Sequence, residues 1–153
     1  MSKQQKGMVD VSHKSPTKRR AIAASTVRLG KKAFQALVGN KSPKGNVLEA
    51  AKIAAILAAK NTPLVIPMCH PLAINQVIVA FKLDKKKFSV TTEVEVNIEG
   101  KTGVEMEALL AASVASLTIY DMLKWADKGM VIEKTKLLYK SGGKSGTFTS
   151  TDE

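Results

Sequence analysis

The feature that most constrains the fold is residues 101–125, a stretch in which nearly every position from Val104 onward is apolar or small. A helix without a polar stripe is normally buried on most sides, so these residues predict a core helix. At about 1.5 Å per residue, this helix extends for roughly 30 Å, the width of a small domain. Thr102 followed by Glu105 fits a capping box, which predicts that the helix begins there.

Charged side chains in this helix are candidates for function, because a charge in an apolar wall is costly unless it is paired or used. Asp121 and Lys124 lie one turn apart and share a face of the helix. They form either a structural ion pair or a reactive pair. Near the helix start, the capping box accounts for Glu105. It does not account for Glu107, which lies about 200° further round the helix.

The composition predicts one domain of 153 residues, because 44% of the residues are hydrophobic and can bury a sizeable core. We expect residues 1–7 and 147–153 to be mobile. The single cysteine, Cys69, excludes a disulfide framework and suits a reducing cytoplasm. The N-terminus lacks the apolar segment of a signal peptide, and the charges in the long helix argue against a membrane span. We therefore expect a cytoplasmic protein with no membrane partner.

The pattern of apolar residues predicts an α+β fold. The predicted strands are residues 8–11, 21–28, 76–83, 88–98 and 130–139, and the predicted helices are residues 33–38, 47–60 and the core helix. Residues 61–72 contain three prolines and are predicted to be an extended connection. Apart from a short extra helix, the order is β-α-β-β-α-β, the ferredoxin-like split βαβ arrangement with helices on one face of an antiparallel sheet. The other face is left free for a partner subunit.

The formal net charge of +11 predicts an anionic ligand, which could be nucleic acid, acidic lipid or a phosphorylated small molecule. RNA recognition motifs share the predicted order of elements and stack bases on aromatic side chains of the sheet. Here the outward positions of the corresponding strand are Thr91, Glu93 and Glu95, so we expect no nucleic-acid partner. A non-catalytic, oligomeric ligand-binding domain is the other alternative.

Two loops carry further candidates. Cys69 and His70 lie between Pro67 and Pro71, which stiffen the loop. With one Cys and two His in the chain, zinc has too few soft ligands, so no metal site is expected. His70 is either held in place for function or is an ordinary capped loop histidine. The glycine-rich residues 140–146 are either an anion cradle, with backbone N–H groups converging on phosphate, or a flexible tail.

Four segments together carry a family resemblance. They are KTGVEMEALLAASVASLTIYDMLK, IPMCHPL, KGNVLEAAKIAAILAAK and LLYKSGGKSG. The chain from residue 8 to residue 146 resembles the cyclic pyranopterin monophosphate synthase family of molybdenum-cofactor biosynthesis. The resemblance implies a ferredoxin-like lyase that needs no cofactor. It also implies a homo-oligomer, a hexamer built as a trimer of dimers, with the active site at a subunit interface.

The implied reaction converts a cyclised guanosine triphosphate derivative, 3',8-cyclo-7,8-dihydroguanosine 5'-triphosphate, to cyclic pyranopterin monophosphate with loss of pyrophosphate. Such a reaction needs proton transfer and cationic stabilisation of the leaving group. Asp121 and Lys124 suit the roles of general base and general acid. The basic loops suit the stabilisation of negative charge as it develops.

The resemblance also implies site residues. The family's catalytic residues fall on Asp121, Lys124 and Lys44. Its substrate contacts fall on Met68, Cys69, His70, Met106 and Glu107. Its phosphate-facing basic residues fall on Arg19, Lys60, Lys140 and Lys144. The chain departs from the family pattern at Asn46, where an aspartate is usual, and at Met68, where a leucine is usual.

Overall fold

In a computed structural model, which describes residues 6–151, the chain forms a five-stranded antiparallel sheet with helices packed on one face. The elements are β1 (Thr17–Arg28), α1 (Gly30–Val38), α2 (Val47–Lys60), α3 (Thr62–Val65), β2 (Gln76–Asp84), β3 (Ser89–Gly100), α4 (Glu105–Leu123), β4 (Val131–Ser141) and β5 (Phe148–Thr149). The strand order is β2-β3-β1-β4-β5. The predicted ferredoxin-like α+β fold is confirmed, with β5 as an added edge strand. Residues 1–5 and 152–153, within the termini predicted to be mobile, lie outside the described residues.

The sheet is built on strict alternation in its long strands. In β3, Val90, Thr92, Val94 and Val96 are fully buried beneath the helices, and Thr91, Glu93 and Glu95 face away. Small residues of β1 lie beside them, with Ala23 opposite Val94 in the antiparallel register. Because alternate side chains of a strand point to opposite faces, the sheet has one apolar and one polar face.

Small side chains let α4 lie close against this apolar face. Ala108, Ala111, Ala112 and Ala115 have no exposed surface. The helix packs against β1, β3, β4 and α2. By length and composition α4 could cross a membrane, but half of that stretch is buried inside the domain. Core helices of soluble proteins have the same length and apolar composition, and α4 is the core helix that the sequence predicts.

The predicted capping box at the start of α4 is wrong. The helix begins at Glu105, and its N-cap residue is Val104, which makes no side-chain capping hydrogen bond. Lys140 approaches Glu105 instead, with Nζ 3.1 Å from Oε1. The physical reason is that a charge-assisted contact with a neighbouring strand is stronger than a neutral capping bond at the helix's own terminus.

The two chain termini also differ from the prediction. Residues 8–11 form no strand; Lys14 N donates to the carbonyl oxygen of Val11, which closes a turn. The first strand begins at Thr17, four residues earlier than predicted. In the described part of the C-terminal tail, β5 pairs with β4, and the mobility of residues 147–153 stays a prediction.

The proline-rich connection of residues 61–72 is not wholly extended. It contains the single turn α3, with Pro63 in its first turn. Proline is well tolerated at that position because its missing N–H has no partner to lose there.

Helices α2 and α4 run antiparallel, and this arrangement decides which residues meet. At one end, Ser42 in the loop before α2 donates from Oγ to the carbonyl oxygen of Met122, near the end of α4, over 2.9 Å. At the other end, the chain that follows α2 brings Cys69 close to the start of α4, where burial, and also the negative charge of Glu107, raises the pKa of the Cys69 thiol. The helix pair therefore has a Met122 end and a Glu107 end.

Candidate active site

At the Met122 end, Asp121 is held between two lysines; we call these three residues the aspartate cluster. Lys44 Nζ lies 2.6 Å from Oδ2 of Asp121, and Lys124 Nζ lies 2.9 Å from Oδ1. The carboxylate thus uses one oxygen for each cation. Lys44 lies in the loop before α2, 77 positions from Asp121 in the chain. The spacing of residues in the sequence predicts the contact of Lys124 with Asp121 but not that of Lys44.

The loop that carries Lys44 is fixed on both sides. Ser42 is bonded to the end of α4, and Asn46 is the N-cap of α2, where its side-chain oxygen accepts from Glu49 N over 3.0 Å. Asn and Asp are about equally good N-caps. The departure from the family pattern at Asn46 therefore keeps the capping function.

The two ammonium groups determine the protonation state of the cluster. Hydrogen bonds from Lys44 and then Lys124 lower the pKa of Asp121 to about 2. The hydrogen bond to Asp121 raises the pKa of Lys124. In the free protein, Asp121 is thus a carboxylate and a weak base. It becomes a stronger base only when a ligand draws the ammonium groups away from it.

The sequence indicated that Asp121 and Lys124 lie in a dry, apolar wall. In the structure the aspartate cluster is exposed instead. The side chains of Asp121 and of both lysines are about half exposed. Exposed ion pairs contribute little to stability. The cluster is open to a ligand, and this exposure favours the reactive pair over the structural one.

At the Glu107 end, Cys69, His70 and Glu107 form a second group, the histidine cluster. A ring nitrogen of His70, Nε2, donates to the backbone carbonyl oxygen of Val9 over 2.7 Å, since a carbonyl can only accept. In neutral His70 the proton is therefore on Nε2, and Nδ1 is unprotonated. Burial, and then the negative charge of Glu107, raises the pKa of the Cys69 thiol. Cys69 is accordingly a poor nucleophile.

Glu107 is the most deeply buried charged side chain in the described part of the chain, with 3% of its surface exposed. Burial raises its pKa above the ordinary value of 4.5. The sequence singled out Glu107 because the cap did not account for it, and its burial sets it apart from Glu105.

We expect Glu107→Gln to raise the melting temperature at pH 7 to 8. A carboxyl whose pKa is raised by folding binds protons more tightly in the folded protein, so its ionisation destabilises the fold as the pH rises above 4.5. The amide removes that penalty. Thermal melts of both proteins from pH 4 to pH 8 should show the difference shrinking towards pH 4. A constant difference across this range would contradict the assignment of the cost to ionisation.

A cleft of about 690 Å³ lies near the same end, and we call it the anion cleft. It is lined by His13, Lys14, Ser15, Thr17, Arg19, Gly143, Lys144 and Ser145. Within the described residues, the lining side chains include no carboxylate. Lys140 stands beside it, with Nζ 2.7 Å from Ser145 Oγ.

The glycine-rich loop is folded onto Arg19. Gly142 and Gly143 have φ of 97° and 75°, a region that favours glycine. A Cβ at Gly142 would collide with the carbonyl oxygen of Lys18, and one at Gly143 with the Arg19 guanidinium. The close approach of this backbone to a basic side chain matches an anion cradle better than a flexible tail.

The remaining predicted residues lie at the Glu107 end but outside the anion cleft. Lys60 ends α2 and lines a separate cavity of about 360 Å³. Met68 and Met106 are 60% and 38% exposed. The largest cavity, about 1150 Å³, lies elsewhere: it is lined by the β2–β3 turn and the polar face of the sheet, and includes none of the predicted site residues.

The predicted residues thus form two groups that a single chain does not bring together. Glu107 and Asp121 are fourteen residues apart in one helix, which separates them by about 21 Å. Sequence reasoning missed His13 and Lys14 in the anion cleft. Their only signal was their basic character beside the Ser15-Pro16 turn.

Comparisons with known proteins show the family of this chain. A model of the MoaC family matches residues 8–143. The cyclic pyranopterin monophosphate synthase of Staphylococcus carnosus (strain TM300) is 52% identical over 142 residues, which covers 92% of this chain and 88% of the relative. The enzymes of the same name from Staphylococcus aureus (strain MSSA476) and Listeria monocytogenes serotype 4a (strain HCC23) are also 52% identical, with the same coverage. The family match extends over most of the chain, including both clusters and the lining of the anion cleft up to Gly143. The chain belongs to the MoaC family.

Proposed function

We propose that this protein is a cyclic pyranopterin monophosphate synthase, a lyase of molybdenum-cofactor biosynthesis. It converts the cyclised guanosine triphosphate derivative to cyclic pyranopterin monophosphate and releases pyrophosphate. Family membership and relatives of that name support the activity. The structural observation that carries it is Asp121 held between Lys44 and Lys124 at an exposed position.

The roles of the aspartate cluster follow from its charges. An anionic substrate competes with Asp121 for the two ammonium groups, and their withdrawal raises the pKa of Asp121 towards its ordinary value. Asp121 then accepts a proton from the substrate as general base, and Lys124 donates one as general acid. Lys44 stabilises the negative charge that develops on the substrate when Asp121 takes its proton.

The basic residues at the other end suit the phosphates. Arg19 and Lys140 offer cations that are fixed by contacts within the fold, Lys144 lines the anion cleft, and Lys60 adds a fourth cation at the end of α2. Fixed cations stabilise a departing pyrophosphate without the cost of reorganisation. Met68, Cys69, His70, Met106 and Glu107 line the region proposed to contact the rest of the substrate.

We propose that the working form is a homo-oligomer, a trimer of dimers, in the cytoplasm, with each site shared by two subunits. The separation of about 21 Å between the two ends of α4 supports this, because one nucleotide does not reach both clusters of the same chain. The outer surface of the helix layer also exposes apolar side chains that a second subunit can cover. They are Ile53, Leu57, Leu64, Val65, Met68 and Leu117.

The polar face of the sheet does not favour RNA binding. Glu93 and Glu95 lie on it, paired with Lys82 at 3.2 Å and Arg20 at 2.7 Å. RNA recognition motifs need aromatic stacking platforms at the centre of this face, and carboxylates there repel phosphate.

The test of the proposed function is a direct assay. Purified protein is incubated with the cyclised nucleotide, and the products are identified by mass spectrometry. We expect the pterin monophosphate and pyrophosphate in equal amounts. Binding of the nucleotide without turnover would support the non-catalytic ligand-binding alternative instead.

Lys144→Ala is expected to weaken pyrophosphate binding. Lys144 lines the anion cleft, and loss of one charge-assisted contact costs about 1–3 kcal/mol of binding free energy. Substrate affinity should fall by a similar amount. The measurements are product inhibition by pyrophosphate and its dissociation constant by calorimetry. An unchanged affinity for pyrophosphate would remove Lys144 from the site and make the loop a solvated tail.

A further inference from the structure

The N-terminal segment of residues 9–15, which we call the strap, is bonded to the histidine cluster at its first residue and lines the anion cleft at its other end. Its first carbonyl, at Val9, accepts from His70 Nε2. In its middle, the carbonyl oxygen of Ser12 accepts from Lys101 Nζ over 3.2 Å. The strap thus bridges from the histidine cluster to the anion cleft, although no strand or helix holds it.

Internal hydrogen bonds give the strap a defined shape. Ser12 N donates to Oδ1 of Asp10 over 2.9 Å, and Lys14 N donates to the carbonyl oxygen of Val11 over 3.1 Å. These two bonds close consecutive tight turns. The turns present His13, Lys14 and Ser15 as one wall of the anion cleft.

The glycine-rich loop, with Lys144, and Arg19 of β1 line the same cleft. Lys14 is partly buried, and no ion pair is found for it in residues 6–151. The nearest acidic group of the strap, Asp10, uses Oδ1 for Ser12 N. Three permanent cations from three separate segments therefore face one space lined by no acid.

We propose that Lys14 is a phosphate-binding residue, and that the strap is a working part of the active site. This inference rests on the proposed function and deepens it. Lys14, Arg19 and Lys144 together bind the two phosphates that leave as pyrophosphate. The Val9 carbonyl makes the strap a positioning element for His70, because it holds the proton on Nε2 and leaves Nδ1 for the substrate.

The chemistry supports a diphosphate rather than a carboxylate ligand. Three separate segments that each supply one cation to the cleft suit a ligand with several negative oxygens, whereas a carboxylate presents two oxygens in one plane. Gly143 of the glycine-rich loop lines the same space, and backbone N–H groups of such loops bind phosphate.

The test compares three variants of the full chain: Lys14→Gln, Lys14→Arg and, as a control for net charge, Lys31→Gln. Lys31 is an exposed residue of α1, outside both clusters and the anion cleft. The probe is inorganic pyrophosphate in isothermal titration calorimetry at fixed ionic strength. We expect Lys14→Gln to weaken binding by about tenfold or more, the scale of one charge-assisted contact. Lys14→Arg should retain most of the affinity, and Lys31→Gln should bind as the unmodified protein does.

Steady-state kinetics give the second readout. Lys14→Gln should raise the KM for the cyclised nucleotide more than it lowers kcat, since Lys14 binds phosphate and moves no proton. Equal pyrophosphate affinities for Lys14→Gln and Lys31→Gln would overturn the inference and leave the proposed function intact. Absence of pyrophosphate binding to the unmodified protein would also overturn it. Absence of turnover by the unmodified protein would instead contradict the proposed function.

Discussion

Asp121→Asn is expected to lower turnover by at least about 100-fold, the typical effect of removing a general base, while the substrate still binds. The amide is isosteric with the carboxylate but cannot accept the proton. The melting temperature should stay within a few degrees of that of the unmodified protein, because the side chain is about half exposed and its ion pairs are screened by solvent. Thermal melts and single-turnover kinetics on the same preparations provide the two measurements.

A matched control separates catalysis from the loss of an ion pair. Glu133 forms an exposed pair with Arg28, at 2.5 Å, on the polar face of the sheet and away from the aspartate cluster. Glu133→Gln removes one carboxylate from such a pair and should leave turnover unchanged. Lys124→Gln should behave like Asp121→Asn. Strong destabilisation of both cluster variants, with full activity in the protein that remains folded, would make the cluster structural.

The pKa of Asp121 determines how its ionisation contributes to stability at each pH. The pKa of Asp121 is about 2 in the folded protein, below its ordinary value of 3.8. Any stability that its ionisation supplies is therefore fully present when the pH is above 3.8. That stability is lost as the pH falls through about 2. Asp121 is therefore ionised at neutral pH, and its ionisation does not limit catalysis there.

Local patterns were sufficient to predict the regular elements. Helix α2 has the predicted bounds because an N-cap, Asn46, precedes its apolar run and Asn61 and Pro63 follow it. The β2–β3 hairpin was predicted from its alternation, which decides the buried face without long-range information. The start of α4 was not predictable in this way, because Lys140 from a distant strand engages Glu105.

The candidate site was predicted from the sequence only in part. The spacing of Asp121 and Lys124 on one helical turn was enough to pair them, as the structure has them. The contact of Lys44 with Asp121 needs the antiparallel packing of α2 on α4, and the family resemblance gave only Lys44 as a site residue. The strap was missed because residues 9–15 have no periodicity; hydrogen bonds to His70 and Lys101 shape this segment instead.

The last prediction tests whether two subunits share each site. One variant is altered at the Met122 end (Asp121→Asn), and the other at the Glu107 end (His70→Ala with Lys140→Gln). Each homo-oligomer should be nearly inactive. A mixed dimer has two shared sites. One site combines the unaltered Met122 end of one chain with the unaltered Glu107 end of the other chain. The second site combines the two altered ends. Random pairing at equal expression should therefore restore about a quarter of the unmodified activity.

The matched control is co-expression of Asp121→Asn with Lys124→Gln. Both changes lie at the Met122 end, so every shared site receives one damaged aspartate cluster and activity should stay low. Light scattering on each preparation establishes that the proteins assemble. If each chain instead holds a complete site, neither mixture recovers activity, because every chain carries a damaging change. Recovery in the first mixture alone is therefore the result that only a shared site produces.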